Sequence, residues 1–480
     1  MNATFLPVLP EIVVLVGASL VLLVDLFLPD SRRHVGYWLA QFTLLVAASV
    51  TVRTMNIDVV RAMHGLVVDD LVADLLRLFS FIAVSLVLVY SRGYLEQRGL
   101  FRGETFVLIL FALLGMQVLI TANHFLTLYL GLELMSLCLY ALVAMQRDEE
   151  APAEAAMKYF VLGALASGFL LYGMSMIYGA TGTLAIDQVA LAVLGDTENR
   201  VLLIFGLVFV VSAIAFKLGA VPYHMWVPDV YHGAPTPITL LIGTAPEFAA
   251  FAMILRLLGG ALVGAEASWT GMLVVLSVLS VTLGHVVAIA QTNLKRMLAY
   301  STIANMGYVL MGFVAADVTG YSAAMFYMVA YVLTSLVSFG VILLLSRQRF
   351  ESDRIEDLKG LNARSPWWAF VMLLAMFSLA GMPPTIGFYA KLLVLQSAVK
   401  AGYVWLAVVG VLAALVGAFY YLRIVKIMYF DEPVDRSPIE ARGDARVLLS
   451  ANGLALLLFG ILPQPLMGLC AVALVQSQFY

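Results

Sequence analysis

Apolar runs of roughly bilayer length follow one another along nearly the whole chain, and little polar sequence separates them. About 20 such residues cross the hydrocarbon of a membrane as a helix. Lipid offers no partner to a bare peptide group, so each run must close its backbone hydrogen bonds within itself. Segmentation yields fourteen spans: 9–28, 36–52, 71–90, 105–121, 124–145, 155–177, 201–221, 238–258, 269–290, 297–315, 322–345, 367–399, 403–428 and 447–470. With 62% hydrophobic and 12% charged residues, nothing remains from which to build a soluble second unit. The expected fold is one all-α polytopic membrane domain over residues 1–480.

The basic residues orient it. With the N-terminus outside, the loops facing in hold 17 lysines and arginines, among them Arg33, Arg98, Lys295, Arg296, Arg347, Arg349, Lys359 and Arg436. The opposite side holds four, Arg53, Arg61, Arg200 and Lys400. The positive-inside rule therefore puts both termini outside the cytoplasm. No basic residue precedes the first run, so it is expected to stay as a span and not to be cleaved as a signal peptide. A net charge of −3 with scattered basic residues argues against a nucleic-acid partner. Cys138 and Cys470 both lie in spans and form no disulfide or metal pattern. No phosphate-binding glycine loop, nucleotide fingerprint or iron–sulfur cysteine cluster occurs, so no redox centre is expected in this chain.

Five ionisable residues interrupt the apolar runs: Glu133, Lys158, Lys217, Glu247 and Lys391. A charge within a bilayer costs at least a few kcal/mol, so each is a functional candidate. Carboxylates and ammoniums interspersed across several spans read as a path for protons or ions. Two spans also carry helix breakers, Lys217-Leu-Gly-Ala-Val-Pro222 in the seventh and Gly381-Met-Pro-Pro384-Thr-Ile-Gly387 in the twelfth. Proline removes a donor and clashes with the preceding turn; in a membrane the freed carbonyls must face protein or a hydrated cavity. Proline and glycine are common enough in membrane helices that either break alone is ordinary. Here each has a lysine close by, and the two lie five spans apart. An odd offset reverses direction through the membrane. The pattern predicts two inverted five-helix repeats, spans 4–8 (105–258) and 9–13 (269–428), flanked by 1–104 and 447–480.

Four stretches carry a resemblance. Leu130-Gly-Leu-Glu133-Leu-Met-Ser-Leu-Cys-Leu-Tyr140, Pro222-Tyr-His-Met-Trp-Val-Pro-Asp-Val-Tyr-His-Gly-Ala-Pro-Thr-Pro237, Gln291-Thr-Asn-Leu-Lys-Arg-Met-Leu-Ala-Tyr-Ser301 and Tyr420-Tyr-Leu-Arg-Ile-Val-Lys-Ile-Met-Tyr-Phe430 are similar to the antiporter-like membrane subunits of respiratory complex I. The Asp-Val-Tyr-x-Gly-Ala-Pro-Thr-Pro form and the Tyr-Leu-Arg-Ile-Val-Lys ending resemble the N-type branch. The resemblance implies a 14-helix fold with discontinuous helices 7 and 12, placed in a bacterial inner membrane. It implies proton translocation driven by NADH oxidation and quinone reduction elsewhere in a hetero-oligomer. NADH, FMN, iron–sulfur clusters and quinone would be held by other subunits and no cofactor by this chain. The K- and M-type subunits and lipid would be its neighbours. Glu133 matches the family's fifth-helix glutamate, Lys158 a sixth-helix lysine, Lys217 the seventh-helix lysine and Lys391 the twelfth-helix lysine. Since burial destabilises an ammonium and a nearby carboxylate restores it, a Glu133–Lys217 pair would be a switch. A cation/proton antiporter or a hydrogenase-type membrane subunit of the same fold is the alternative, and a mainly structural subunit a third reading.

The sequence departs from that family in two places. Where an eighth-helix lysine is usual it has Ala245-Pro246-Glu247. Glu247 either carries the proton itself or pairs with Lys217 or a neighbour; a salt-bridged anchor also stays open. The second departure is Gly284-His285 and Ser301-Thr-Ile-Ala-Asn305, where the family has Asn and His in the opposite order. Each lies ten residues from Lys295, so both sit roughly 15 Å from the loop on antiparallel helices. They form one shared site, or else His285 packs and Asn305 is unrelated. His224, Asp229 and His232 read as loop-ordering residues and not as metal ligands. Arg77 is expected to pair with Asp74, and Arg256 to snorkel from a helix end.

Overall fold

The computed structural model describes residues 3–195, 199–347, 350–433, 437, 439 and 442–477. Arg349 and Arg436 of the orienting basic residues, and the two chain ends, lie outside them. Twelve helices among the described residues are long and apolar enough to cross a membrane. Of the fourteen expected spans, the two not among them are the tenth and twelfth. The tenth is a 20-residue helix with 18 residues buried, and the twelfth is cut into two 15-residue helices.

The chain opens with α1 (Leu9–Asp25) and α2 (His34–Thr54). A short antiparallel hairpin then pairs Val60 with Asp69 across β1 (Val60–Ala62) and β2 (Val67–Asp69), an element the all-helical expectation did not contain. Asp70 caps α3 (Leu71–Gln97), its carboxylate accepting from Ala73 N at 2.8 Å. Next come α4 (Gly103–Ile120) and α5 (Phe125–Val143). Gly115 and Gly131 let these two touch backbone to backbone: a Cβ on Gly115 would strike Met135 N, and one on Gly131 would strike Leu119 N. The helix α6 (Glu150–Thr181) leads to a short surface helix, α7 (Ile186–Leu194).

The seventh span is broken as expected, into α8 (Arg200–Lys217) and α9 (Trp226–Gly233). The eighth is broken too, a feature not expected: α10 (Thr236–Ile242) gives way at Gly243–Thr244 to α11 (Ala245–Ile254), which ends in a π turn, Leu255–Ala261. After it come α12 (Glu266–Ile289), α13 (Leu294–Phe313) and α14 (Val318–Leu345). The one-turn α15 (Leu361–Arg364) precedes the second broken span, α16 (Pro366–Ala380) and α17 (Ile386–Lys400). The rest is α18 (Val404–Phe430), α19 (Gly443–Ile461) and α20 (Gln464–Gln476), the last two dividing the fourteenth expected span.

Both principal breaks turn at a glycine with positive φ, Gly219 at 64° and Gly381 at 79°, a region where a Cβ is strained. A cis X-Pro peptide follows each, at Val221–Pro222 and Pro383–Pro384. The released carbonyls find donors: the Trp226 indole takes Phe216 O at 2.9 Å, and the Lys391 amine takes Leu379 O at 2.8 Å and Ala380 O at 3.1 Å. This satisfies the requirement that irregular backbone at membrane depth be paired inside the protein.

Burial, not hydropathy, separates centre from rim. The most apolar window across α10 and α11 is 100% buried and that of α14 89%, against 39% for α2 and 28% for α19. A helix that is apolar all round and covered all round belongs at the core.

At the end of the bundle where α1 and α3 begin, Arg77 is fully buried. Its guanidinium donates to Glu11 at 2.6 Å, Asp69 at 2.6 Å, Asp74 at 3.3 Å and Pro7 O at 2.8 Å. Burial pushes the Asp69 carboxyl up despite the arginine beside it. Arg256 does not snorkel. It is 5% exposed and grips Asp70 with two bonds, 2.6 and 3.0 Å, because the α3 cap stands within reach and offers a planar carboxylate to a planar fork.

Candidate functional site

Lys217 closes α8, and its amine donates to Ser136 Oγ on α5 at 2.9 Å. Glu133 lies three residues before Ser136, on the same side of α5. Its Oε1 is buried with no hydrogen-bond partner among the described residues. The expected Glu133–Lys217 ion pair is not closed: among the described residues no carboxylate oxygen stands within 4.0 Å of the lysine amine, whose polar contact is the serine. An internal cavity next to it is lined by Leu132, Ser136, Tyr159, Lys217, Trp226 and Glu247. Glu247 reaches it from the first turn of α11, where the helix N-terminus favours a carboxylate. Its Oε2 is buried and also without a partner among the described residues. The structure thus brings Lys217 and Glu247 to one cavity.

Further into the second half of the chain the buried polar groups are mostly hydroxyls. Tyr331 and Thr302 share a hydrogen bond of 2.8 Å. Asn305 accepts from Tyr327 Oη at 2.7 Å and donates to Ser301 O at 2.7 Å; Ser301 Oγ meets Tyr421 Oη at 2.5 Å. The rings of Tyr421 and Tyr420 lie 4.2 Å apart, and Tyr420 Oη meets His285 Nδ1 at 3.0 Å. His285 and Asn305 are therefore two ends of one buried series running through Tyr420, Tyr421 and Ser301, and no hydrogen bond joins them directly. Lys391 stands 5.1 Å from the centre of the Tyr308 ring, and a second cavity beside it is bounded by Asn305, Tyr327, Tyr331, Ser378 and Leu379.

Lys158 lies elsewhere. Its side chain is 42% exposed and bridges Glu154 and Asp229, each at 2.7 Å; Asp229 also binds Arg296 at 2.8 Å. The apolar neighbours in sequence concealed that α6 presents this position outward. Asp229 accordingly ties α6 to α13 through α9, more than the loop-ordering role expected of it. Among the described residues no group of His, Cys, Asp or Glu gathers as metal ligands. Lys295, counted with the cytoplasmic loops, is 3% exposed and donates to Ala234 O at 3.0 Å, where α9 meets α10. The signal for it lay in Asn293, whose side chain caps α13 through Arg296 N at 3.0 Å and so places Lys295 inside the helix.

Ionisable groups with no ion pair among the described residues, set beside broken helices and internal cavities of a helical membrane bundle, define a multi-pass membrane protein of the antiporter-like kind. Residues 122–417 match the family described as NADH:quinone oxidoreductase/Mrp antiporter, TM. NADH-quinone oxidoreductase subunit N of Thiobacillus denitrificans is 61% identical over 473 residues, 98% of each chain. A chain of respiratory complex I from Thermus thermophilus superposes with a TM-score of 0.83 at 31% identity, over 97% of this chain and 100% of that one. A chain of the Mrp complex from Dietzia sp. shares the fold, with a TM-score of 0.86 at 21% identity over 100% and 98% of the two chains. The chain belongs to the family of NADH-quinone oxidoreductase subunit N.

Proposed function

We propose that this chain is the N-type membrane subunit of a proton-translocating NADH:quinone oxidoreductase, and that protons cross it by way of Glu133, Lys217, Glu247 and Lys391. The observation that carries this reading is the cavity shared by Lys217 and Glu247, with a buried carboxylate oxygen left unpartnered. A group in that state accepts or releases a proton without first breaking an ion pair. The hydroxyl and amide series from Asn305 through Ser301, Tyr421 and Tyr420 to His285 supplies a lateral link near Lys391. Lys158 and Asp229 act at the outer surface of the same half.

The inverted repeat belongs to the same reading. In its support, glycines bring α12 and α13 together as they do α4 and α5, Gly284 against Ala304 N and Gly307 against Val281 N. The chain is taken as a single transmembrane domain with both termini periplasmic in an inner membrane, beside K- and M-type subunits, with cofactors and quinone held elsewhere.

The test uses membrane vesicles carrying Lys217→Ala, following NADH:quinone turnover and proton uptake together. Loss of both with the complex assembled is expected. Unchanged oxidation and pumping would sink the assignment, and cation-driven proton exchange without NADH would favour the antiporter. For the lateral link, His285→Asn with Asn305→His is expected to pump better than either single change.

A further inference from the structure

Away from the proton path, the ends of α2, α3 and α4 enclose an open cleft lined by Ser31, Arg33, His34, Arg92, Glu96 and Arg102. Among the described lining residues are three guanidiniums, an imidazole and one carboxylate, that of Glu96. Glu96 is already engaged, by Arg92 at 3.0 Å and by Arg442 at 3.1 Å. The Arg92 guanidinium is held over aromatic faces, 4.7 Å from the Tyr37 ring centre and 5.8 Å from that of Trp38. That support orders the fork without consuming all of its donors. Arg102 is more than half exposed, and its carboxylate contact, Glu104, is a long 3.5 Å. The charge is positive and planar in its donors, and at Arg102 it is open to solvent, which suits phosphate oxygens.

The surface next to the cleft fixes the source of the phosphate. On α2, Trp38, Phe42, Leu45 and Val52 are 57, 63, 64 and 59% exposed. The first three are spaced at i, i+4 and i+7, so they make one apolar stripe leading away from the basic mouth along the membrane. A free anion has no use for that stripe, whereas an acyl chain does. Trp38, at the junction, has the amphipathic ring that favours the level of lipid headgroups. We infer that the cleft seats the phosphate headgroup of an anionic phospholipid, with an acyl chain lying along the exposed stripe of α2.

The experiment uses the whole oxidoreductase, purified in mild detergent, delipidated, and placed in phosphatidylcholine nanodiscs with or without a minority of phosphatidylglycerol. Mass spectrometry counts phosphatidylglycerol retained per complex, and thermal unfolding records the stabilisation it brings. Arg92→Gln and Arg102→Gln are each expected to weaken retention about fivefold, as for one basic residue near an anionic surface. Trp38→Ala is expected to weaken it as well. Arg92 also holds Glu96, so Arg102→Gln and Trp38→Ala, both at exposed side chains, keep the test open should Arg92→Gln fail to assemble. Undiminished retention in Arg102→Gln and Trp38→Ala overturns the inference. So does equal stabilisation by inorganic phosphate in detergent alone, which would make this a free-anion site. Loss of a neighbouring subunit with lipid retention unchanged also overturns it, making the cleft a protein seat.

Discussion

Lys391 reaches back across the break between α16 and α17 and donates from Nζ to Leu379 O at 2.8 Å. A second bond, to Ala380 O at 3.1 Å, gives the ammonium two of the carbonyls that the end of α16 leaves free. A cation at a helix C-terminus is also favoured by the macrodipole. The side chain that would carry a proton is thus the one that caps the broken helix. When the proton leaves, the charge that holds those carbonyls leaves with it. Chemistry and helix geometry are linked at this residue.

The arginine variant separates the two roles. Lys391→Arg keeps a cation at the cap but does not release its proton. Assembly is expected to survive while NADH-driven proton uptake by vesicles falls at least tenfold. Lys391→Ala is expected to lose both, uncapping two carbonyls at a cost of about 1–3 kcal/mol each when buried. Full pumping by the arginine variant would remove Lys391 from the proton path and leave it as a cap.

Glu247 gives a second contrast. Glu247→Gln keeps the size and hydrogen-bonding edge of the side chain but does not ionise. Proton uptake is expected to fall at least tenfold, with subunit levels near normal since no ion pair is broken among the described residues. Glu247→Lys installs the cation usual in the resembled family and is expected to restore most of the activity. Normal pumping by the glutamine variant would reduce Glu247 to a structural role.

The cluster around Arg77 predicts a different kind of failure. Removing the guanidinium leaves Glu11, Asp69 and Asp74 facing one another in a buried site. Breaking a buried ion pair from one side costs about 3–5 kcal/mol. Arg77→Ala is therefore expected to lower the amount of assembled subunit in membranes severalfold. Asp74→Asn, which removes the member with the longest contact, is expected to be tolerated far better. Equal levels in the two variants would contradict the charge argument.

What could be read in the sequence follows from where the physics is local. The apolar runs and the breaks at Pro222 and Pro384 were legible because bilayer length and a missing backbone donor act on a few consecutive residues. The candidates Lys217, Glu247 and Lys391 were legible for the same reason, a charge set in an apolar run. What was not legible was lateral order. Every span is apolar, so nothing marks α10 and α11 as the enclosed centre or α6 as a helix that turns Lys158 outward. The burial of Arg256 is hidden in the sequence because its partner, Asp70, is 186 residues away. The tyrosines that join His285 on α12 to Asn305 on α13 both come from α18, and only the folded chain shows that they meet.

The contact between α4 and α5 yields the last prediction. Gly131 sits two residues before Glu133 and five before Ser136, so the spacing of these helices sets where both side chains stand. A methyl group on Gly131 would meet the backbone of Leu119 at 2.6 Å, and backbone has no rotamer with which to yield. Gly131→Ala must therefore push α5 away from α4. Overpacking of this kind costs about 1–3 kcal/mol, and here it also displaces Ser136, the partner of Lys217 in a 2.9 Å bond. Vesicles are expected to show fewer protons taken up per NADH oxidised, beyond any fall in subunit amount. Gly168→Ala on α6 is the control, since nothing lies within 4 Å of its added methyl. The same proton-to-NADH ratio in both variants would mean that the position of α5 does not govern coupling.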